Sequence, residues 1–448
     1  MLGSINWLRR LALVAVLALF VAACGGDGGT DEAEDATEGG GETEATEPAE
    51  TTEEEDTEAA GGGGGDGTLQ LGYILPETGQ LAFLGPPQIE AARFAIEQIN
   101  AAGGVLGNEI PEIISGDEAG DEAVANQSAD RLLAEGVDAI IGAAASGMSL
   151  AIIDKVTGAG VVQCSGSNTA PTFTDYEDEE PGFYIRTAPS DAMQGPVLAE
   201  TIVGEGYTNV AILARADDYG TGLADATAAG LEEAGATVAL NETYDPNATN
   251  FDAAVQQVVS ANPDAVVLIA FEEGAQIIEG LIEQGLGPDT VGIFGADGLA
   301  GNIAGALGDP SVLEGMMGTR PAPAEDPGFL EDLQEFAPDL EETTFAGQVF
   351  DCVNIIALAA EVAGSDDPAV FHEELADVTR EGEKCTSFEE CLTLIQEGAD
   401  IDYDGVSGPL EFIDAGEPGE ASIEVYTFDA NGDVQPIDTI QTTLPEDA

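Results

Sequence analysis

Positive charge is nearly absent from this chain. Ten Lys and Arg stand against 87 Asp and Glu, giving a formal net charge of −77. Nucleic-acid binding rests on neutralising phosphates with cations, so that function class is excluded. Docking on anionic lipid headgroups is disfavoured for the same reason. Histidine is almost missing too: the single copy, His372, leaves no pair for a zinc site, and the cysteine spacings hold no C-x-x-C. Catalytic signatures are equally scarce. There is no G-x-S-x-G elbow, no H-E-x-x-H helix and no phosphate P-loop, and the reading is of a non-enzyme that needs neither cofactor nor metal. His372 itself, in a mixed acidic stretch, is expected to be exposed. Acidity this extensive is read as a solubility or salt adaptation spread over the surface, not as a ligand signal.

What is present begins with an address. Arg9 and Arg10 precede thirteen uncharged residues, Leu11 to Ala23, too short a run for a mature span of about 20 residues. A basic start, a short apolar core and small residues before a cut site read as a secretory signal. The run ends Val21-Ala22-Ala23-Cys24-Gly25-Gly26, which resembles the bacterial lipobox, whose Cys becomes the lipidated mature N-terminus. Residues 25–67 contain only Gly, Ala, Thr, Pro, Asp and Glu, with sixteen acids and no base. Such a segment cannot bury enough apolar surface to offset its ordering entropy, so it reads as a disordered tether. A neutral chain of this length spans roughly 35–40 Å, and self-repulsion extends it.

Beyond the tether, residues 68–448 exceed the ~100–200 residues of one typical domain. Four cysteines lie in this exported body, an even number that favours disulfides. Cys385 and Cys391 bracket a short segment and are the first expectation for a bridge, which leaves Cys164 with Cys352. Short apolar runs alternate with helical periodicity: strands are expected at 69–75, 110–114, 137–141 and 161–164, then at 210–214, 237–240, 266–270 and 291–294. Helices are expected between them, among them one opened by Pro86-Pro87 and others at 122–134, 149–157, 222–233, 251–260, 274–284 and 345–362. Two strand–helix series predict an α/β protein of two doubly wound, parallel-sheet lobes. From Phe329 onward the chain reads as less regular apart from the helix at 345–362, ending in a polar, acidic tail. There, Asp429-Ala430-Asn431-Gly432-Asp433 has glycine misplaced for an EF-hand and reads as a hairpin turn.

Ligands of open parallel sheets bind beyond the carboxyl ends of the strands. That rule selects the loop after Leu75 and the loops at 142–149, 165–172, 217–222, 271–274 and 295–298, rich in Gly, Ser, Thr and Asn. Ser and Thr there could equally cap helices, and Asp297 could be a plain turn acid.

At these same loops the chain resembles the leucine/isoleucine/valine-binding branch of the periplasmic binding proteins. The resemblance rests on Pro76-Glu77-Thr78-Gly79, on Ile99-Asn100-Ala101-Ala102-Gly103-Gly104-Val105-Leu106-Gly107, and on the run Ser165 to Pro171. Ile185-Arg186-Thr187-Ala188-Pro189-Ser190-Asp191, Asp218-Tyr219-Gly220-Thr221-Gly222 and Gly295-Ala296-Asp297-Gly298 complete it. It implies the type I periplasmic binding protein fold: an N-lobe of 68–188 plus 321–413 and a C-lobe of 189–320 plus 414–448, joined by a three-segment hinge. It implies an amino-acid ligand, aliphatic or branched, whose α-carboxylate meets Ser146, the Ser167 amide and Thr169. Tyr219 covers the ligand from the other lobe and Asp297 pairs with its ammonium. The implied partners are ABC permease subunits, with a monomer tethered to the membrane by its lipid alone. Where the family has Tyr after the first strand, this chain has Phe83-Leu84, exchanging a polar contact for an apolar one. Relatives of the fold also take short amides, urea or aromatic acids, and a ligand-sensing co-receptor would read identically.

Overall fold

The computed structural model describes residues 65–176, 182–301, 303–324 and 327–445. Cys24 and the tether up to residue 64 lie outside them. The first sheet is built of β1 (Leu71–Ile74), β2 (Ala139–Gly142), β3 (Val162–Ser165) and β4 (Tyr184–Arg186), parallel and in that spatial order. Its register sets Leu71 opposite Ala139, Ala139 opposite Val162 and Gln163 opposite Tyr184. Helices α1 (Gly85–Ala102), α2 (Glu122–Glu135) and α3 (Ser146–Thr157) make the crossovers. The strands are short and wholly buried because both faces are covered. Leu71, Tyr73, Ala139, Ile141 and Cys164 point into one core, while Ile74 and Ile140 point into another, following the two-residue period of a strand.

The second sheet has seven strands. β5 (Asn209–Arg215), β6 (Thr237–Tyr244), β7 (Ala265–Ile269), β8 (Gly292–Gly295) and β9 (Met317–Pro321) run parallel. They are covered by α4 (Asp191–Gly204), α5 (Asp218–Glu233), α6 (Asp252–Ala261) and α7 (Gly274–Glu283), with a short α8 (Ile303–Ala306) before β9. The chain then returns to the first core through α9 (Pro327–Phe336) and α10 (Ala346–Ala363), followed by α11 (Pro368–Phe371). A two-stranded sheet of β10 (Glu383–Cys385) and β11 (Ile401–Tyr403) flanks α12 (Phe388–Glu397). The hairpin β12 (Glu420–Phe428) and β13 (Val434–Thr443) closes the second sheet, in the order β13-β12-β9-β8-β7-β5-β6. α10 is long and apolar enough to cross a membrane, but 83% of its apolar window is buried, so it is a core helix.

Local chemistry explains where elements start and stop. Two prolines open α1, where their missing N–H groups cost nothing, and Gly103 at φ 121° ends it. The Asp121 carboxylate accepts from the amides of Ala123 and Val124 at the head of α2. The strand expected at 110–114 is only an edge segment beside β1, bridging Gly72 to Ile114 and Leu75 to Asp117. Pro111 has no N–H for a regular ladder there. The expected acidic tail is instead the β12–β13 hairpin, in whose turn Asp429 accepts from the amides of Asn431 and Asp433. His372, expected to be exposed, is half-buried and stacks on Phe183 with ring centroids 4.1 Å apart. Flat apolar contact and a bond between Nδ1 and the Pro368 carbonyl (3.0 Å) hold the ring down.

Cys164 is bonded to Cys352, joining β3 to α10, and Cys385 to Cys391, joining β10 to α12, with Cα atoms 5.9 and 5.3 Å apart.

Candidate functional site

The carboxyl ends of β2 and β3 face those of β5, β7 and β8 across a cavity of about 20 Å³. Ser146, Ser167, Tyr219 and Asp297 line it, together with Leu81, Leu84, Ala144, Ala145, Phe271, Gly298 and Phe345. Four of the five residues that the sequence put at the ligand therefore converge. Thr169 does not line this cavity: its hydroxyl donates to Asp191 Oδ2 (2.9 Å).

Ser146 is the first residue of α3, which starts three residues before its expected beginning. First-turn amides of a helix have no intrahelical acceptor, so this end favours an anion. Two bonds fix the approach to it. The Glu118 carboxylate accepts from the amides of Ala144 (2.6 Å) and Ala145 (3.3 Å), and the Ser146 hydroxyl accepts from the Ala170 amide (3.4 Å). Burial raises the Glu118 carboxyl to about 8, against the pull of those amides. The Ser167 hydroxyl donates within reach of Gln88 Oε1 (3.0 Å) and the Ala144 carbonyl (3.2 Å). Its amide, expected to face a carboxylate, donates to Ser165 Oγ (3.3 Å). Behind this loop the Arg186 guanidinium grips the carbonyls of Asn168 (3.1 Å) and Ala170 (2.8 Å) and pairs with Glu417.

On the other side, Asp217 caps α5, accepting from the Gly220 amide, and so places Tyr219 in the first helical turn, not in a loop as expected. Phe271 stacks on Tyr219 at 5.4 Å, and the Arg215 guanidinium lies 3.4 Å over Phe271. Arg215 is held in turn by Asp217 and by Glu273 (2.9 Å). Asp297 opens a single helical turn after β8. Its Oδ1 accepts from the Tyr219 hydroxyl (3.0 Å) and from Gln194 Nε2 (2.9 Å). Burial pushes its carboxyl up to about 6, while Gln194, Tyr219 and the amides of Asp297 and Gly298 pull the other way. Asp191, fully buried nearby, is raised well above the ordinary carboxylate range by burial and then by the charge of Asp297. Burial also raises Tyr219, helped by the same two carboxylates. Burial and mutual repulsion both disfavour the charged forms of these two acids, and an incoming cation favours them.

Sequence reading missed Asp191, Gln194, Glu118 and the Phe271 stack. Asp191 lay in a run already singled out, but only the folded chain sets it against Asp297. Among the described residues no group of three His, Cys, Asp or Glu side chains is placed to hold a metal. A larger cavity of about 550 Å³ lies near Phe83, Ala300 and Arg320, walled by Asp339, Glu341, Glu342 and Asp433. Its one cation, Arg320, is already held by Glu424 (2.7 Å) and Thr344 (3.0 Å), so it lacks the paired donor and acceptor ends of the smaller site.

A family model described as periplasmic binding protein matches residues 68–433. The leucine-, isoleucine-, valine-, threonine- and alanine-binding protein of Pseudomonas aeruginosa is 30% identical over 319 residues, 69% of this chain and 82% of that one. The crystal structure of a leucine binding protein from Thermotoga maritima superposes with a TM-score of 0.70 at 24% identity, covering 85% of this chain and all of that one. The branched-chain amino acid transporter substrate binding protein of Streptococcus pneumoniae, in complex with isoleucine, gives 0.68 at 22% identity, covering 84% and 100%. Both show the same α/β fold with parallel-dominated sheets. The chain belongs to the periplasmic binding protein family, on its leucine/isoleucine/valine-binding branch.

Proposed function

We propose that this protein is the extracytoplasmic binding lipoprotein of an ABC importer, capturing an aliphatic or branched-chain amino acid between two lobes and delivering it to a permease. One observation carries the reading. Hydroxyl and amide donors at the head of α3 and a buried carboxylate, Asp297, line a single cavity from opposite sheets. A zwitterion needs that pairing, since charge-assisted hydrogen bonds are the strong ones. The relatives named for leucine, isoleucine and valine support the same ligand class. The lobes in this reading are 68–188 with 321–413 and 189–320 with 414–448, and three chain crossings between them form the hinge over which closure occurs. Ser146 and Ser167 serve the carboxylate end, joined by Thr169 once closure turns its hydroxyl away from Asp191, while Tyr219 covers the ligand.

Calorimetry with the twenty amino acids, short amides and urea tests this, on the wild type and on Asp297→Ala. An unpaired ammonium buried by closure costs about 2–5 kcal/mol. The variant is expected to bind thirty-fold to several thousand-fold more weakly, at about 1.4 kcal/mol per decade. Equal affinity in both proteins would remove Asp297 from the site, and a response to amides or urea alone would replace the amino acid as ligand. The anchor has its own test. Cys24→Ser is expected to release the protein from the membrane fraction or block its processing, and an unchanged membrane fraction would rule the lipid out.

A further inference from the structure

Space at the site is distributed unevenly. The cavity where Ser146, Tyr219 and Asp297 meet offers about 20 Å³, and a neighbouring one toward Met148 and Asp217 about 50 Å³. A third, of about 330 Å³, shares Gly298 with the first and is lined by Gly79, Gln80, Ala82, Phe83, Glu272 and Ile303. One water occupies about 30 Å³ of liquid, so this third space holds some ten waters' worth of volume, more than an isobutyl branch needs. Its bounds are firm. The Phe83 ring lies so close on Gly301 that a Cβ there would run into it, and Phe83 thereby stands between this cavity and the larger outer one. Gly298 has no room for a Cβ between the Ala270 carbonyl (2.6 Å) and the Phe271 ring (2.8 Å), which keeps the backbone low at the junction.

The walls are of two kinds. Ala82, Phe83 and Ile303 are apolar and suit a methylene stem. Glu272 and Gln80 supply oxygen acceptors, and Gln80 is oriented by its Nε2 donating to the Pro246 carbonyl (3.3 Å). The Glu272 carboxylate has no ion pair or side-chain hydrogen bond with any described residue, although every basic residue of the folded body is engaged elsewhere. Glu272, an unpaired acceptor lining a cavity that shares Gly298 with the Asp297 site, is placed for a donor at the tip of a long side chain.

We propose that the 330 Å³ cavity is the side-chain subsite and that it accepts an amino acid with a cationic end, of lysine or ornithine type, whose ammonium meets Glu272 and Gln80. The inference rests on the amino-acid reading of the Asp297 site and widens its ligand class beyond aliphatic side chains. Leucine would fill part of the same space without using its polar end.

The test is calorimetry of the whole folded protein with leucine, lysine and ornithine, on wild type and Glu272→Gln, at low and high sodium chloride. The wild type is expected to bind lysine or ornithine at least as tightly as leucine. Glu272 is exposed, so its loss should weaken the cationic ligands only about two- to fivefold and leave leucine unchanged. Salt should narrow the same gap, since a partly solvated pair is screened. Binding of leucine with rejection of both cationic amino acids overturns this inference alone. Equal losses for all three ligands in the variant also overturn it, because they mark a structural effect. Binding of no amino acid overturns it together with the reading on which it rests.

Discussion

At the residue scale the site turns on Asp297, held at about 6 by burial, beside an Asp191 that burial also raises well above the ordinary carboxylate range. The sign of the consequence follows from the direction of these shifts. Between roughly pH 4, where an unfolded Asp titrates, and pH 6 the folded protein holds more protons than the unfolded chain, so stability falls as pH rises through that window. An ammonium at Asp297 requires the ionised form. Affinity for a zwitterion should therefore be flat above about pH 6 and drop toward tenfold per pH unit below it, with a proton released on binding. Calorimetry in buffers of different ionisation enthalpy measures that proton directly. Affinity unchanged from pH 7 down to 5 with no proton release would mean that Asp297 does not meet the ligand's charge. Most of these residues were readable in the sequence because each follows a buried strand and carries the right chemistry. Thr169 was readable only in type. Whether its hydroxyl faces a ligand or the Asp191 carboxylate depends on α4, which no local pattern of residues 165–172 reveals.

At the scale of elements, the parallel strands were legible because both faces are buried and the sequence shows it as unbroken apolar runs, such as Val266 to Ala270. β13 was not. It reads Val-Gln-Pro-Ile-Asp-Thr-Ile-Gln-Thr-Thr, lies on the edge and is mostly exposed, so packing left little apolar record in it. The bridges act on elements in two different ways. Cys164 lies one residue before the end of β3, next to the loop at 166–169, and its bond to Cys352 closes a chain separation of 188 residues. Loop-closure entropy makes such a bridge worth about 5 kcal/mol, against about 2 kcal/mol for the six-residue separation of Cys385 and Cys391. Replacing each pair by alanine and measuring denaturant unfolding should show that order. The long bridge sits under the site, so only its removal should also weaken ligand binding. A larger loss from the local pair would mean that the unfolded chain is already compact around 164 and 352.

For the whole molecule the dominant fact is charge. Removing the sixteen acids of the tether and the two arginines of the signal leaves 71 acids and eight bases in residues 68–448, an excess of 63 negative charges. All eight bases are spent in ion pairs. Arg186, Arg215 and Arg320 are buried with Glu417, Glu273 and Glu424, while Lys384 alone gathers Asp402, Asp404 and Glu411 at 2.8–2.9 Å. The remaining carboxylates face one another across the surface with no protein countercharge. Self-repulsion of that size destabilises any compact state, and dissolved cations are what oppose it. The screening length shrinks from about 10 Å at 0.1 M salt to about 3 Å at 1 M, below the spacing of most surface charges. Salt also weakens the exposed ion pairs, but each is worth at most about 1 kcal/mol, and they are far fewer than the repelling pairs. Thermal unfolding should therefore shift upward by several degrees between about 0.05 and 2 M sodium chloride, each ~1 kcal/mol being worth about 2 °C in a body of this size. Sucrose at equal osmolality separates screening from general exclusion, because it leaves the charges bare. A transition temperature that fell with sodium chloride, or rose equally with sucrose, would show that repulsion among the carboxylates is not what limits the stability of this fold.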